Sequence, residues 1–100
     1  MSDPKRKLSA SDIAEARLAD WRLVDETLTA RFRSKSFAAG LELVNRIGDS
    51  AESADHHPDI VLTYPAVEVT LSSHDVGGVT SRDVELARAI SEHAAALGIA

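Results

Sequence analysis

The chain has 100 residues, 44% hydrophobic and 27% charged, the size and composition of one globular domain with a modest core. Its net charge of −5 disfavours nucleic acid and anionic membranes as partners, and the absence of cysteine excludes disulfides, thiolate chemistry and the usual structural zinc sites. No window holds about 18 consecutive apolar residues, and the leading MSDPKRKLSASD lacks the apolar centre of a signal peptide, so the sequence reads as cytoplasmic.

Residues 1–8 are expected to be a flexible lead, with DPKRK a solvated basic stretch, and residues 9–100 a single domain. Ser9 and Asp12 have the spacing of a capping box, with Asp in place of Glu, and open a helix expected to reach about Asp20. Trp21 to Val24 reads as a strand. Leu28, Ala30 and Phe32 alternate with Thr29, Arg31 and Arg33, a period of two that marks a half-buried strand; the two strands form a hairpin. From about Ser36 to Ala51, Phe37, Leu41, Val44 and Ala51 recur at helical spacing, with Leu43 and Ile47 widening the apolar stripe.

Two further strands follow. Ile60, Leu62 and Tyr64 alternate with Val61 and Thr63; beyond a bend at Pro65, Val67, Val69 and Leu71 alternate with Ala66, Glu68, Thr70 and Ser72. DVGG is a loop. Thr80 then caps a last helix, with Asp83 at its third position and Leu86, Ile90 and Leu97 on the apolar face. The order α-β-β-α-β-β-α predicts an α+β domain, a four-stranded antiparallel sheet with helices packed on one face.

The chemistry lies in histidines. His56 and His57 are adjacent, and Pro58 biases His57 toward an extended backbone. Imidazole both donates and accepts protons near neutral pH, so a pair can supply an acid and a base together. Adjacent side chains in an extended segment point to opposite sides. Either the loop bends so that both rings face one ligand, or one ring reaches the ligand while the other supports the fold. His74 ends the fourth strand. A pairing across Pro65 would bring it to the same sheet end as His56 and His57, with Glu52, Asp55, Asp75 and Asp83 near in sequence. An acid in a first helical turn also favours the helix dipole, which is the plainer role for Asp83. His93 lies late in the last helix and is set aside.

Glu52, three residues, His56-His57-Pro58, five residues, Tyr64, nine residues, His74, eight residues and Asp83 form a pattern that resembles the signature of the pterin-4a-carbinolamine dehydratases. LSASDI, Trp21 before a hairpin, RFRSKSFAAGLELVNRIG and VEVTLSSHDVGGVTSRDVELA extend the resemblance over roughly residues 8 to 97. Pro65, Ser73 and Arg33 depart from the commoner pattern, and none of them removes a proton-transfer group. The resemblance implies the fold read above and a dehydratase of 4a-hydroxytetrahydropterin that needs neither metal nor organic cofactor and assembles as a homodimer or homotetramer. It implies His56, His57 and His74 as catalytic residues, and Asp55, Ser72, Ser73 and Asp75 as walls of the pterin pocket. Glu52 and Asp83 would orient the histidines, and Arg82 and Trp21 would line the rim.

Other readings stay open. The family in animals also supplies a dimerisation cofactor for a homeodomain transcription factor, so the chain could be a protein-binding module. The three histidines and a carboxylate could hold a metal, although adjacent histidines seldom chelate one ion and the spacing matches no standard zinc pattern. A related pterin, such as a molybdopterin intermediate, could be the substrate.

Overall fold

The computed structural model describes residues 3–99. Its elements are α1 (Ala10–Glu15), β1 (Arg22–Val24), β2 (Thr27–Phe32), α2 (Phe37–Ala54), β3 (Asp59–Leu62), β4 (Val67–Leu71) and α3 (Ser81–Ala96). The expected order and fold class are both present: all strand pairs are antiparallel, and the sheet order is β1-β2-β4-β3.

The alternation in β2 and β4 explains the register. Leu28 pairs with Leu71, Ala30 with Val69 and Phe32 with Val67, so the inward residues of both strands meet across the ladder. Ile60 and Leu62 of β3 extend this face opposite Val69 and Val67. A slip of one residue would turn all of them outward, so burial pins the pairing. On the open face Arg31 meets Glu68 at 2.9 Å, an exposed cross-strand ion pair. Thr63 and Ala66 exchange backbone hydrogen bonds around Tyr64 and Pro65. Pro65 thus sits in the hairpin loop, where no ladder donor is needed.

Two corrections concern the helices. α1 ends at Glu15 and not near Asp20, because Arg17 takes a left-handed backbone (φ 54°) and turns the chain toward Trp21. The Ser9–Asp12 capping box is present. In α2 the buried stripe is Gly40, Leu43, Ile47 and Ala51, whereas Phe37 and Leu41 are 49% and 44% exposed. Both sets of residues have helical spacing, and the deciding residue is Gly40. A Cβ there would lie 2.7 Å from Leu62 Cδ1, 3.0 Å from Ser34 Oγ and 3.3 Å from Val67 Cγ2. The helix therefore approaches the sheet along its Gly40 side.

Gly48, on the same helix, has nothing within 4 Å of its notional Cβ. Gly48→Ala is expected to raise stability by about 0.5–1 kcal/mol through helix propensity alone. Gly40→Ala makes the same backbone gain but meets overpacking that costs about 1–3 kcal/mol, so it should lower stability. Urea midpoints of the two variants check the opposite signs.

Residues 3–8, expected as a flexible lead, run against the body: the Leu8 amide donates to the Val79 carbonyl at 2.7 Å, and Lys7 pairs with Glu26 at 2.7 Å. Residues 1 and 2 of that lead lie outside the described residues. Among the described residues no helix is long and apolar enough to cross a membrane.

Candidate active site

The register that pairs Asp59 with Thr70 puts the start of β3 and the end of β4 at one end of the sheet. His56 and His57 therefore enter the sheet where Ser72, Ser73 and His74 leave it. The turn before the histidine pair decides where each ring goes. Asp55 caps α2 in a left-handed conformation (φ 51°), with the His56 amide donating back to Ala51 O at 3.1 Å. This reversal sends the two adjacent rings to different partners.

His56 turns inward. Its Nε2 lies 2.6 Å from Asp83 Oδ1, with the His56 side chain 11% exposed and that of Asp83 fully buried. His57 stays 56% exposed, with Nε2 2.5 Å from Glu52 Oε2 on the last turns of α2. An ionised carboxylate only accepts hydrogen bonds, so facing one each ring donates from Nε2, and in a neutral ring Nδ1 then carries the lone pair. In each ring the carboxylate fixes the tautomer and stabilises the imidazolium that forms when Nδ1 takes a proton. The same division of labour underlies the histidine–carboxylate pairs of known hydrolases.

Asp83 has two duties. Its Oδ2 accepts from the Thr80 backbone N–H at 2.9 Å, closing the cap of α3, and from Ser73 Oγ at 2.7 Å. Thr80 Oγ1 accepts from the Arg82 amide and sits 2.9 Å from Ser73 Oγ. Donor logic orders the chain: Thr80 hydroxyl to Ser73 hydroxyl to Asp83 carboxylate, with His56 on the other oxygen. The network ties the first turn of α3 to the residue before His74 and to the first histidine of the pair.

His74 is exposed, next to buried Ser73. Ser73 forms an isolated bridge with Gly78, which closes the His74 loop. Asp75 is held by Arg82 Nη2 at 2.8 Å. Ser72 is half-buried and Asp55 exposed at the same end. Trp21, expected at the rim, is not brought to this cluster. It immediately precedes β1 at the opposite sheet edge, edge-to-face with Phe32 at 6.1 Å, its indole N–H donating to Ser91 Oγ. Thr80 was legible only as a helix cap; its membership of the site network has no separate sequence signal. His93, set aside from sequence, is 2.7 Å from Ser50 Oγ and links α3 to α2.

A cleft of about 530 Å³ opens between α2 and α3 beside this cluster, and His56 and Arg82 are part of its wall together with Ser50, Ser53, Glu85 and Ala89. His57 and His74 are not among its lining residues. The rings of His57 and His74 are both exposed outside the cleft. Among the described residues no group of three or more His, Asp or Glu side chains is arranged to hold a metal ion.

The family profile described as pterin 4 alpha carbinolamine dehydratase matches residues 6–93. The chain belongs to that family. Proteins provisionally named pterin-4-alpha-carbinolamine dehydratase from Thermosynechococcus vestitus and Nocardia farcinica are 44% and 43% identical to it. Each alignment covers 85% of this chain and 92% of the relative. The crystal structure of a transcriptional coactivator/pterin dehydratase from Brucella melitensis superposes with a TM-score of 0.84 at 34% identity, covering 89% of this chain and 99% of that one.

The Arg82 tie carries a pH expectation. The Arg82 hydrogen bond holds the Asp75 carboxyl below its ordinary value of 3.8, against a smaller opposing effect of desolvation and with help from the charges of Arg82 and Lys5. A depressed carboxylate contributes stability that is complete above its unfolded value and is lost as pH falls through the folded one. Carbon-13 NMR of the Asp75 carboxyl should give a midpoint below 3.8, and Arg82→Ala should move it back up toward that value.

Proposed function

We propose that the chain dehydrates a 4a-hydroxytetrahydropterin to the quinonoid dihydropterin by histidine general acid–base catalysis, in the cytoplasm, as a step of pterin cofactor recycling. A proton goes to the C4a hydroxyl, the C4a–O bond breaks and water leaves. A ring nitrogen gives up its proton, and the freed electron pair forms the new C=N bond. His57 and His56 share the proton-transfer roles. His57 is the accessible member, oriented by Glu52; His56 is held from behind by Asp83. His74 binds and polarises the departing hydroxyl. Asp55, Ser72 and Asp75 flank the pterin, with backbone groups at the strand ends bonding its edge, while the buried Ser73 supports that wall through Asp83.

The observation that carries this reading is the exposed His57–Glu52 pair beside a buried His56–Asp83–Ser73 network, in a chain of this family. The test is stopped-flow generation of the 4a-carbinolamine, followed with and without protein and with chelator. The reading expects acceleration by wild type that chelator does not change. No acceleration would end it, and loss of rate with chelator would transfer the chemistry to a metal.

Assembly as a homodimer or homotetramer is part of the proposal. Supporting it are Phe37 and Leu41, exposed on α2, and Val61 and Tyr64, 55% and 68% exposed on and beyond edge strand β3. Light scattering should give a mass of two or four chains. A protein-binding role is the second reading, favoured by the same exposed α2 residues and by the coactivator in the Brucella protein's description. It would be supported by an inactive wild type that binds a stoichiometric protein partner independently of His57 and His74.

A further inference from the structure

The basic stretch near the N-terminus has no part in the chemistry above, yet three contacts press it onto the loop that carries His74. Arg82 Nε donates to the Pro4 carbonyl at 2.8 Å and lies 3.3 Å from Thr80 Oγ1, while its Nη2 holds Asp75. One guanidinium therefore clips the N-terminal segment, the His74 loop and the cap of α3 together. The Leu8 amide bonds to Val79 O, immediately after that loop. Lys7 lies across Gly78: a Cβ there would be 2.6 Å from Lys7 Cε and 3.0 Å from Lys7 Cδ. Its Nζ ends on Glu26 in the β1–β2 turn, at 2.7 Å.

The loop beneath is short. The Val76 amide donates to Ser73 O and the Gly77 amide to His74 O, while Ser73 and Gly78 exchange backbone hydrogen bonds across its neck. Within it the His74 ring is exposed, so its direction is set by its backbone and by its two neighbours. Ser73 is anchored from below by Asp83, and Asp75 is anchored from the side by Arg82. The second anchor is itself aimed by the Pro4 carbonyl.

We propose that residues 4–8 are a positioning strap for the His74 loop, acting through Lys7 over Gly78 and through Arg82 on Asp75. Lys7 and Arg82 are positioning residues, since the path to the reacting atoms runs through the backbone of His74. The inference rests on the dehydratase reading for its effect on rate and stands apart from it for its effect on the loop. Misplacing a catalytic group by about 1 Å can cost up to about 10²-fold in rate, and a strap loosened at one end should cost part of that.

The test is a charge swap in the full chain. Lys7→Glu sets two carboxylates against each other where an exposed ion pair stood, which changes fold stability little. The expected results are a roughly five- to tenfold fall in kcat/KM and faster hydrogen exchange at the amides of Val76, Gly77 and Gly78. The second substitution Glu26→Lys should restore both to within about twofold of wild type, as re-pairing of the two charges requires. Unchanged exchange in Lys7→Glu, or a loss that the swap does not restore, overturns the strap. If wild type itself does not accelerate dehydration while exchange responds and is restored, the strap stands and the dehydratase reading falls.

Discussion

Replacing His57 with alanine should lower kcat for dehydration by about 10²–10⁴-fold, the range in which a positioned acid or base contributes. Stability should hardly move. The ring is 56% exposed and its partner Glu52 is 78% exposed, so no buried group is left without a hydrogen bond. Surface changes of this kind stay within about 0.5 kcal/mol, which for a domain of this size is no more than about 4 °C in Tm. Glu52→Gln removes the charge that stabilises the imidazolium while keeping a polar side chain, and should give an intermediate loss of kcat. A His57→Ala protein that is folded and as fast as wild type would remove this ring from the chemistry.

The second large effect is on stability. Asp83 is fully buried and accepts from His56, Ser73 and the Thr80 amide. Asp83→Ala removes the acceptor of all three donors, two of them on the fully buried Ser73 and Thr80, and breaking one side of a buried charged network costs about 3–5 kcal/mol. Tm should fall by about 12 °C or more. Asp83→Asn keeps the shape and one acceptor oxygen and should fall less. Thermal melts followed by circular dichroism measure both. An Asp83→Ala variant that melts within about 4 °C of wild type would mean that the network adds little.

The different fates of His56 and His57 show what periodicity and spacing do and do not reveal. Strand alternation in β2 and β4 was readable because each strand has one wet and one dry face, and the register follows from matching the dry ones. Both capping boxes were readable because hydroxyl and carboxyl three residues apart are a local device. The direction of each ring in the histidine pair was not. It depends on Asp55 adopting a left-handed conformation, and aspartate visits that region only by context.

Overlapping signals were the harder case. Phe37–Leu41–Val44 and Leu43–Ile47–Ala51 are both helical stripes, and only the close approach at Gly40 selects the inward one. Asp83 had a sufficient local explanation as a helix-cap acid, and only the family resemblance pointed to a histidine partner; that partner is His56, twenty-seven residues away. Trp21 shows the reverse: its place in the pattern suggested the rim, and the packing of its ring against Phe32 assigns it to the core. The contacts of residues 4–8 depend on Arg82 and Gly78, more than seventy residues away in sequence in each case, and a run of lysine and arginine carries no sign of them.

The most direct check of the account is nitrogen-15 NMR of the histidine rings, free and during titration with a 7,8-dihydropterin. His56 and His57 are expected to carry their proton on Nε2 in the free protein, and the ligand to shift the ring signals of His57 and His74 most. A proton on Nδ1 of His57, or ligand shifts confined to Ser50, Ser53, Glu85 and Ala89 of the α2–α3 cleft, would contradict it.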